Sequence, residues 1–440
     1  MKAHFLKYWE RLHSSFWFVP AIMALGSAAL ASSAVALDER APDLLRYWKW
    51  LYSGGAEGAS AVLQTIAGSM TTIAGVVFSM TLVALTLASA QFGPRLLRNF
   101  MSDTLNQFVL GTFVATFIYC LLVMRTIRRA DEVAFVPHFS VTLGVVLALV
   151  SMAVLIYFIH HVSVSIQADE VVARVAKELD EGLDRLFPED IGKSRPPDDG
   201  RDRALLAMLE QDPQPVDARR DGYLQFVDAD ELMSLAGKHD LVMRLVHRPG
   251  QYATADRPLI LLAPAGRVSD EVRNAVSKAI IVGSQRTPSQ DIEFGIGQLV
   301  EIAVRALSPG VNDPFTAIRC TDRLSSAAYR LGRRPMPSPY RRDEQNRLRI
   351  VAPTVTFAEI LDACFGQIRQ NAGSSAAVMI RLMEVMALIA ESASRPEDRS
   401  AVLRHARLIA DAGGALPEKA DRAIVEERLQ ALLRVLNAPG

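Results

Sequence analysis

Four uncharged segments, Phe16–Leu37, Ala59–Gly93, Gln107–Met124 and Val133–Ile159, constrain this chain before any motif does. Each is long enough to cross a hydrocarbon core of about 30 Å at about 1.5 Å per residue. They predict an α-helical membrane protein with four transmembrane helices. Composition agrees: half of the 440 residues are hydrophobic, and mean hydropathy is +0.17 although 22% are charged. The apolar residues cluster before Ile159 and the charges after it. The first segment reads as a retained span, because its apolar run is long and "ALASSAVALDER" is only a loose cleavage pattern. The second is longer than a bilayer requires, so it must tilt, bend near its glycines or protrude.

The expected organisation is a transmembrane domain over 1–164, an amphipathic connector helix and linker over 165–220, a small β-rich unit over 221–266, and a mainly helical soluble domain over 267–440. The connector shows Val171, Val175, Leu179, Leu183 and Leu186 at helical spacing, and Pro, Gly and mixed charge beyond it fit a mobile linker with at most one helix. Strands are expected at Tyr223–Val227, Leu241–His247 and Leu259–Leu262, with one more near Leu348–Val355. Helices are expected at Ser269–Ile281, Asp291–Leu307, Pro314–Leu331, Phe357–Gln370, Ala376–Ala393, Pro396–Ala412 and Pro417–Asn437. The fold class is thus four transmembrane helices followed by a soluble α+β domain.

Loop charge sets Lys2, Lys7, Arg11, Arg95, Arg98, Arg174 and Lys177 against Arg40, Arg46, Lys49, Arg125, Arg128 and Arg129, close to a tie. An even number of spans puts both termini on one side, and a long domain without a secretion signal stays in the cytosol. The expectation is a bacterial inner-membrane protein with cytoplasmic termini. Cys120, Cys320 and Cys364 are far apart and form neither a disulfide framework nor a CxxC metal pattern.

Within the second span, Thr65, Thr72, Ser79 and Thr86 recur every seventh residue, with Gly68 and Gly75 on the adjacent edge. The first reading is small-xxx-small packing inside a bundle. The sharper one is a narrow hydrated pore surrounded by several copies of this helix, since hydroxyls solvate ions without fixed charge. The spans carry no mid-membrane Asp, Glu, Lys or Arg, which argues against a proton-coupled transporter and leaves passive permeation. Just after the stripe, "QFGPRLLRNF" reads as an amphipathic headgroup segment whose arginines can line an entrance.

The stretch "EIAVRALSPGVNDPFTAIRC", Glu301–Cys320, reads as a helix stopped by Pro309 and Gly310, then a second helix capped by Asp313 with Pro314 at its first position. In the first helix Asp291, Gln298 and Arg305 lie seven apart, with Glu301 four before Arg305, while Ile292, Ile296, Leu299, Ala303 and Leu307 form an apolar face. The polar stripe is expected to face the Ser308–Asp313 turn. "RTPSQDIEFGIGQLVEIAVRALSPGVNDPFTA", Arg286–Ala317, resembles the signature of a family of predicted bacterial membrane proteins containing a domain of unknown function. "ASAQFGPRLLRNFMSDTLNQFVLGTFVATFIYCLLVMRTIR", Ala88–Arg128, and "GYLQFVD" extend that likeness over most of the chain. It implies four spans, a carboxy-terminal soluble domain, and a polar signature at Arg286, Gln290, Asp291, Gln298, Glu301, Arg305, Asn312, Asp313 and Thr316. Gly93 departs from the serine expected in "QFSPR".

The signature contains no activated Ser or Cys and no metal-ligand cluster, so a structural corner is preferred to a ligand or partner site, with acid–base catalysis last. No P-loop, GxSxG, HExxH or Rossmann glycine pattern occurs, and the adjacent His160 and His161 point apart. The arginines of "GRRPMPSPYRRDEQN" read first as a solvated charge run, and no nucleic-acid module is visible. The expected protein is no enzyme, uses no cofactor or metal, and has the bilayer and further copies of itself as partners. Its function is expected to be an oligomeric passive channel with a cytosolic regulatory domain. The alternative is a membrane-anchored sensor or scaffold whose soluble domain binds a ligand or protein.

Overall fold

The computed structural model describes residues 17–40, 51–93, 104–128, 135–187 and 200–437. The chain divides into two compact units, Met1–Glu170 and Val171–Gly440.

The first unit has, among the described residues, four helices long and apolar enough to cross a membrane: α1 (Phe18–Arg40), α2 (Ala56–Phe92), α3 (Thr104–Met124) and α4 (His138–Ser165). Half of the apolar window of α3 is buried, against 17% for α2, so α3 is the central helix and α2 lies at the periphery. Close approach occurs at Gly111, where a Cβ would meet Met23 and Pro20 of α1, and at Gly144 of α4 against Leu63 of α2. Polar side chains stitch the interior: Thr116 and Ser151 share a 3.0 Å hydrogen bond, and the Tyr119 hydroxyl donates to the Ser140 carbonyl. Asp38, one residue past the expected end of the first span, accepts hydrogen bonds from the Phe139 and Ser140 amides and the Ser140 hydroxyl. It thereby satisfies the otherwise orphaned amino end of α4 from a different helix.

The second unit begins with α5 (Ala168–Leu186) and α6 (Gly200–Gln211). Five strands order as β1-β5-β3-β8-β7: β1 (Gln214–Asp217), β3 (Val242–Leu245), β5 (Pro258–Ala263), β7 (Tyr340–Arg342) and β8 (Leu348–Val351). All neighbours are antiparallel except β3 with β8. A smaller sheet orders β4 (Tyr252–Ala253), β2 (Gly222–Val227) and β6 (Ile280–Gly283). Helices α7 (Ala229–Lys238) and α8 (Asp270–Lys278) supply Leu232, Leu235, Val272 and Val276 to the core formed with Met243, Ile260 and Ile350.

The sheets therefore take strands from 214 to 351, wider than the expected 221–266 segment. Ile280 and Ile281, expected as the end of a helix, open the strand Ile280–Gly283, because the Ile-Ile-Val run is β-branched and pairs with β2. Of the expected linker, residues 188–199 lie outside the described residues. The described part includes α6, which packs through Leu205 and Leu209 onto Val242 and Ala263.

The remaining helices are α9 (Ile292–Ala306), α10 (Pro314–Gly332), α11 (Phe357–Asn371), α12 (Ala376–Ser392), α13 (Pro396–Gly413) and α14 (Lys419–Asn437). Helix α11 starts with a full capping box, Thr356 and Glu359 each satisfying the other's backbone amide. Helix α5 buries Val171, Val175, Leu179 and Leu183, and Leu179 lies directly on Gly295 of α9, where a Cβ would sit 3.3 Å from its Cδ1. On the same helix Asp180 and Asp184 receive Arg330, and Asp184 also receives Arg334, from the end of α10. Gly295→Leu should therefore lower stability by about 1–3 kcal/mol through overpacking. Gly366→Ala on α11, where a Cβ meets nothing within 4 Å, should be neutral or stabilising by up to about 1 kcal/mol. Thermal unfolding of the full chain in detergent compares the two.

Candidate functional site

The polar signature does not converge on one place; it divides between the two ends of α9, about 22 Å apart at about 1.5 Å per residue. At the amino end Arg286 grips Asp291 with two hydrogen bonds, from Nε at 2.7 Å and from Nη2 at 2.9 Å. Its Nη2 also lies 3.5 Å from Glu293, which pairs with Arg248, and Arg248 in turn reaches Glu359 of α11. Burial disfavours the Arg286 charge, yet the Asp291 hydrogen bonds and the Asp291 and Glu293 carboxylates outweigh it and raise the pKa. Gly250 has φ +91°, and a Cβ there would collide with the Asp291 carboxylate, so this turn tolerates only glycine. Gln290 brackets Val227 like an added strand residue, accepting from its amide at 2.9 Å and donating to its carbonyl at 3.0 Å.

At the carboxyl end the chain turns through Ser308–Asn312, with Asn312 at φ 49° in the left-handed region that Asn tolerates. The Asp313 amide donates to the Ala306 carbonyl at 2.7 Å, closing the corner. The Asp313 carboxylate accepts from the Thr316 amide at 3.1 Å and the Thr316 hydroxyl at 2.6 Å, capping α10. Burial pushes the Asp313 pKa up, but these hydrogen bonds and the Arg319 charge pull it below the ordinary carboxylate value. Glu301 and Arg305 pair at 3.5 Å with Arg305 39% exposed, a surface-type pair.

Between these ends Gln298 is 1% exposed, and among the described residues neither amide atom finds a hydrogen-bond partner. The expected polar stripe facing the turn is thus absent. Helix α9 is covered by α5 on one side and by α10 and α11 on others, so the Gln298 position is interior.

Residues 13–388 match the family described as "Predicted membrane protein (DUF2254)". The chain belongs to this family. Its relatives include an uncharacterized protein of Mycobacterium bovis and uncharacterized proteins of two strains of Mycobacterium tuberculosis. Each is 33% identical over 443 residues, covering 98% of this chain and 82% of the relative. No solved structure matches. With four apolar helices and this family membership, the chain is a membrane protein that sits in a lipid bilayer.

On α2 of this DUF2254 protein, Thr65, Gly68, Thr72, Gly75, Ser79 and Thr86 are all exposed. Among the described residues, no atom beyond the helix's own backbone lies within 4 Å of where a Cβ would stand on Gly68 or Gly75, whereas Gly111 and Gly144 are closely packed against other spans. The Thr65, Thr72 and Thr86 hydroxyls donate to carbonyls one turn back. The "QFGPRLLRNF" segment lies outside the described residues after Gly93.

Sequence reading missed a cavity of about 540 Å³ at the end of α10 and the starts of α11 and α13, lined by Arg333, Thr356, Phe357, Arg395 and Asp398 among others. Arg395 donates to Asp398 at 2.6 Å, and burial raises the Asp398 pKa against that pull. Three distant segments build this cavity, and no local spacing signals it. The "GRRPMPSPYRRDEQN" arginines are not a free charge run: Arg334 pairs with Asp184 and Arg342 with Asp202. Among the described residues no His, Cys, Asp and Glu cluster could hold a metal.

Thermal unfolding should rank the signature residues by these contacts. Arg286→Ala strands a carboxylate only 4% exposed and should cost about 3 kcal/mol. Asp313→Ala removes a cap, costing roughly 0.5–2 kcal/mol. Arg305→Ala should cost under about 1 kcal/mol. Because the folded pKa of Asp313 lies below its ordinary 3.8, its contribution is present above that pH and is lost as pH falls through the lowered value. In Asp313→Ala this part of the acid dependence should vanish.

Proposed function

We propose that this membrane protein is an oligomeric passive channel of the bacterial inner membrane, with both termini and the second unit in the cytoplasm. The observation that carries this reading is the outward hydroxyl and glycine stripe of α2. From Thr65 to Thr86 it runs 21 residues, about 32 Å at about 1.5 Å per residue, the thickness of a hydrocarbon core. A strict seven-residue repeat keeps one face toward a left-handed supercoiled neighbour, so copies of α2 can meet along the whole span. Open space above Gly68 and Gly75 admits a second backbone at close range. Hydroxyls bonded to their own helix keep oxygen lone pairs for water or an ion.

The second unit is regulatory in this reading, because α5 follows α4 after only Ile166 and Gln167 and is itself packed on α9 and α10. A change at those helices reaches the last span along a continuous chain. No catalytic step is assigned: the charged signature groups are engaged in ion pairs and caps. A second reading, a membrane-anchored sensor, draws support from the 540 Å³ cavity with its arginines.

Replacing Thr72 with valine and Ser79 with alanine keeps approximate size and removes the wetting groups. Under matched ion gradients, with and without membrane tension, liposomes carrying the wild-type protein should leak ions faster than empty ones, and the double variant should lose that flux while staying oligomeric. Wild-type flux no greater than that of empty liposomes under every condition defeats the channel. Flux that persists in the double variant moves the permeation path off α2.

A further inference from the structure

A cleft of about 560 Å³ runs between α2 and α4, lined from Ala61 to Ile73 on one helix and from Val145 to Met152 on the other. Both helices start at the same face of the first unit: the Tyr52 amide, just before α2, donates to the Thr142 hydroxyl at 2.8 Å, and His138 Nδ1 lies 2.7 Å from the Tyr52 carbonyl oxygen. Ala61 is five residues inside α2 and Val145 seven inside α4, so the cleft begins about 8–10 Å from those starts. From Ala61 to Ile73 it extends about 18 Å, close to half of a hydrocarbon core of about 30 Å. Spread over that length, the volume gives a mean cross-section of about 31 Å², about 6 Å across. The walls are apolar, and the two hydroxyls in them, Thr65 and Ser69, donate to the Ala61 and Thr65 carbonyls of their own helix at 2.8 Å each. Leu149, 67% exposed, and Met152, 49% exposed, stand on the α4 side, so the cleft is continuous with the surface that meets the bilayer.

We infer that this cleft is a binding site for one acyl chain of a phospholipid in the leaflet on that side. Water does not fill it, because an apolar cavity without polar partners stays dry. An empty cleft would forfeit the dispersion contacts of both walls. A helix of a second copy, about 10–12 Å across with its side chains, is too wide to enter a slot about 6 Å across, whereas an extended hydrocarbon chain enters it. Bilayer tails are as apolar as the walls, so no hydrophobic gain separates the bound chain from its neighbours. Close packing against two helices along most of the chain's length is what holds it. The site goes beyond the channel reading: of Thr65, Gly68, Thr72, Gly75, Ser79 and Thr86 only Thr65 lines the cleft. At 3.6 residues per turn the cleft and the stripe occupy neighbouring faces of α2.

The test uses the full-length protein in liposomes of phosphatidylethanolamine and phosphatidylglycerol, with a trace of phosphatidylcholine carrying a photoactivated diazirine midway along one acyl chain. Adducts are mapped to residues by tandem mass spectrometry. Val146 and Val150, 41% and 48% exposed at the same depth of α4 but outside the cleft, report ordinary contact with surrounding lipid. Adducts on Ala61–Ile73 and Leu149 are expected at several-fold the yield on those two valines. Ala148→Phe and Ser69→Phe, made separately, each fill the cleft and should lower its adducts several-fold while Val146 and Val150 still label. Cleft yields no higher than those of Val146 and Val150 reduce the site to ordinary lipid contact and overturn the inference. So does an unlabelled cleft beside labelled valines, which means that something other than lipid covers it, and so do cleft yields unchanged in both variants. The wild-type comparison needs no variant, so a variant that fails to fold leaves it decisive, and none of these readouts depends on ion flux.

Discussion

Helix α5 meets α9 through Leu179 over Gly295 and meets the end of α10 through the Asp180 and Asp184 ion pairs. A helix with apolar residues on one stripe must bury them; Val171, Val175, Leu179 and Leu183 are all buried, and Leu179 lies against α9. Gly295 permits the close approach, and the Arg330 and Arg334 pairs with Asp180 and Asp184 fix its direction. The chain passes from α4 into α5 through only Ile166 and Gln167.

The polar residues at the two ends of α9 have structural work to do. Arg286, Gln290 and Asp291 bind the start of α9 to a strand end and to the Gly250 turn. Asn312, Asp313 and Thr316 set the angle at which α10 leaves its other end. Charged and amide groups do this well because each supplies directional hydrogen bonds that an apolar contact lacks. Gln298 stands apart from both, interior and, among the described residues, without a hydrogen-bond partner.

Local chemistry was legible in the sequence wherever one segment determined the outcome. The spans follow from uncharged length, and α10 begins where Asp313 and Pro314 place it. Contacts between distant segments were not legible: Asp38 capping α4, Asp291 filling the space over Gly250, and the cavity near Arg395 join residues that no periodicity connects. Ile280 and Ile281, the start of β6, read as the end of a helix because the preceding pattern is helical and only pairing with β2 overrides it. Seven-residue spacing identified a stripe on α2, but not that its residues are exposed in the folded unit, nor that Thr65 at one end lines a cavity shared with α4.

The channel account depends first on several copies of α2 meeting along that stripe. Native mass spectrometry of the full-length protein released from nanodiscs measures this directly. The account predicts a mass of three or more chains that survives mild detergent exchange. A monomer or a dimer, with too few α2 helices to enclose water, would contradict it.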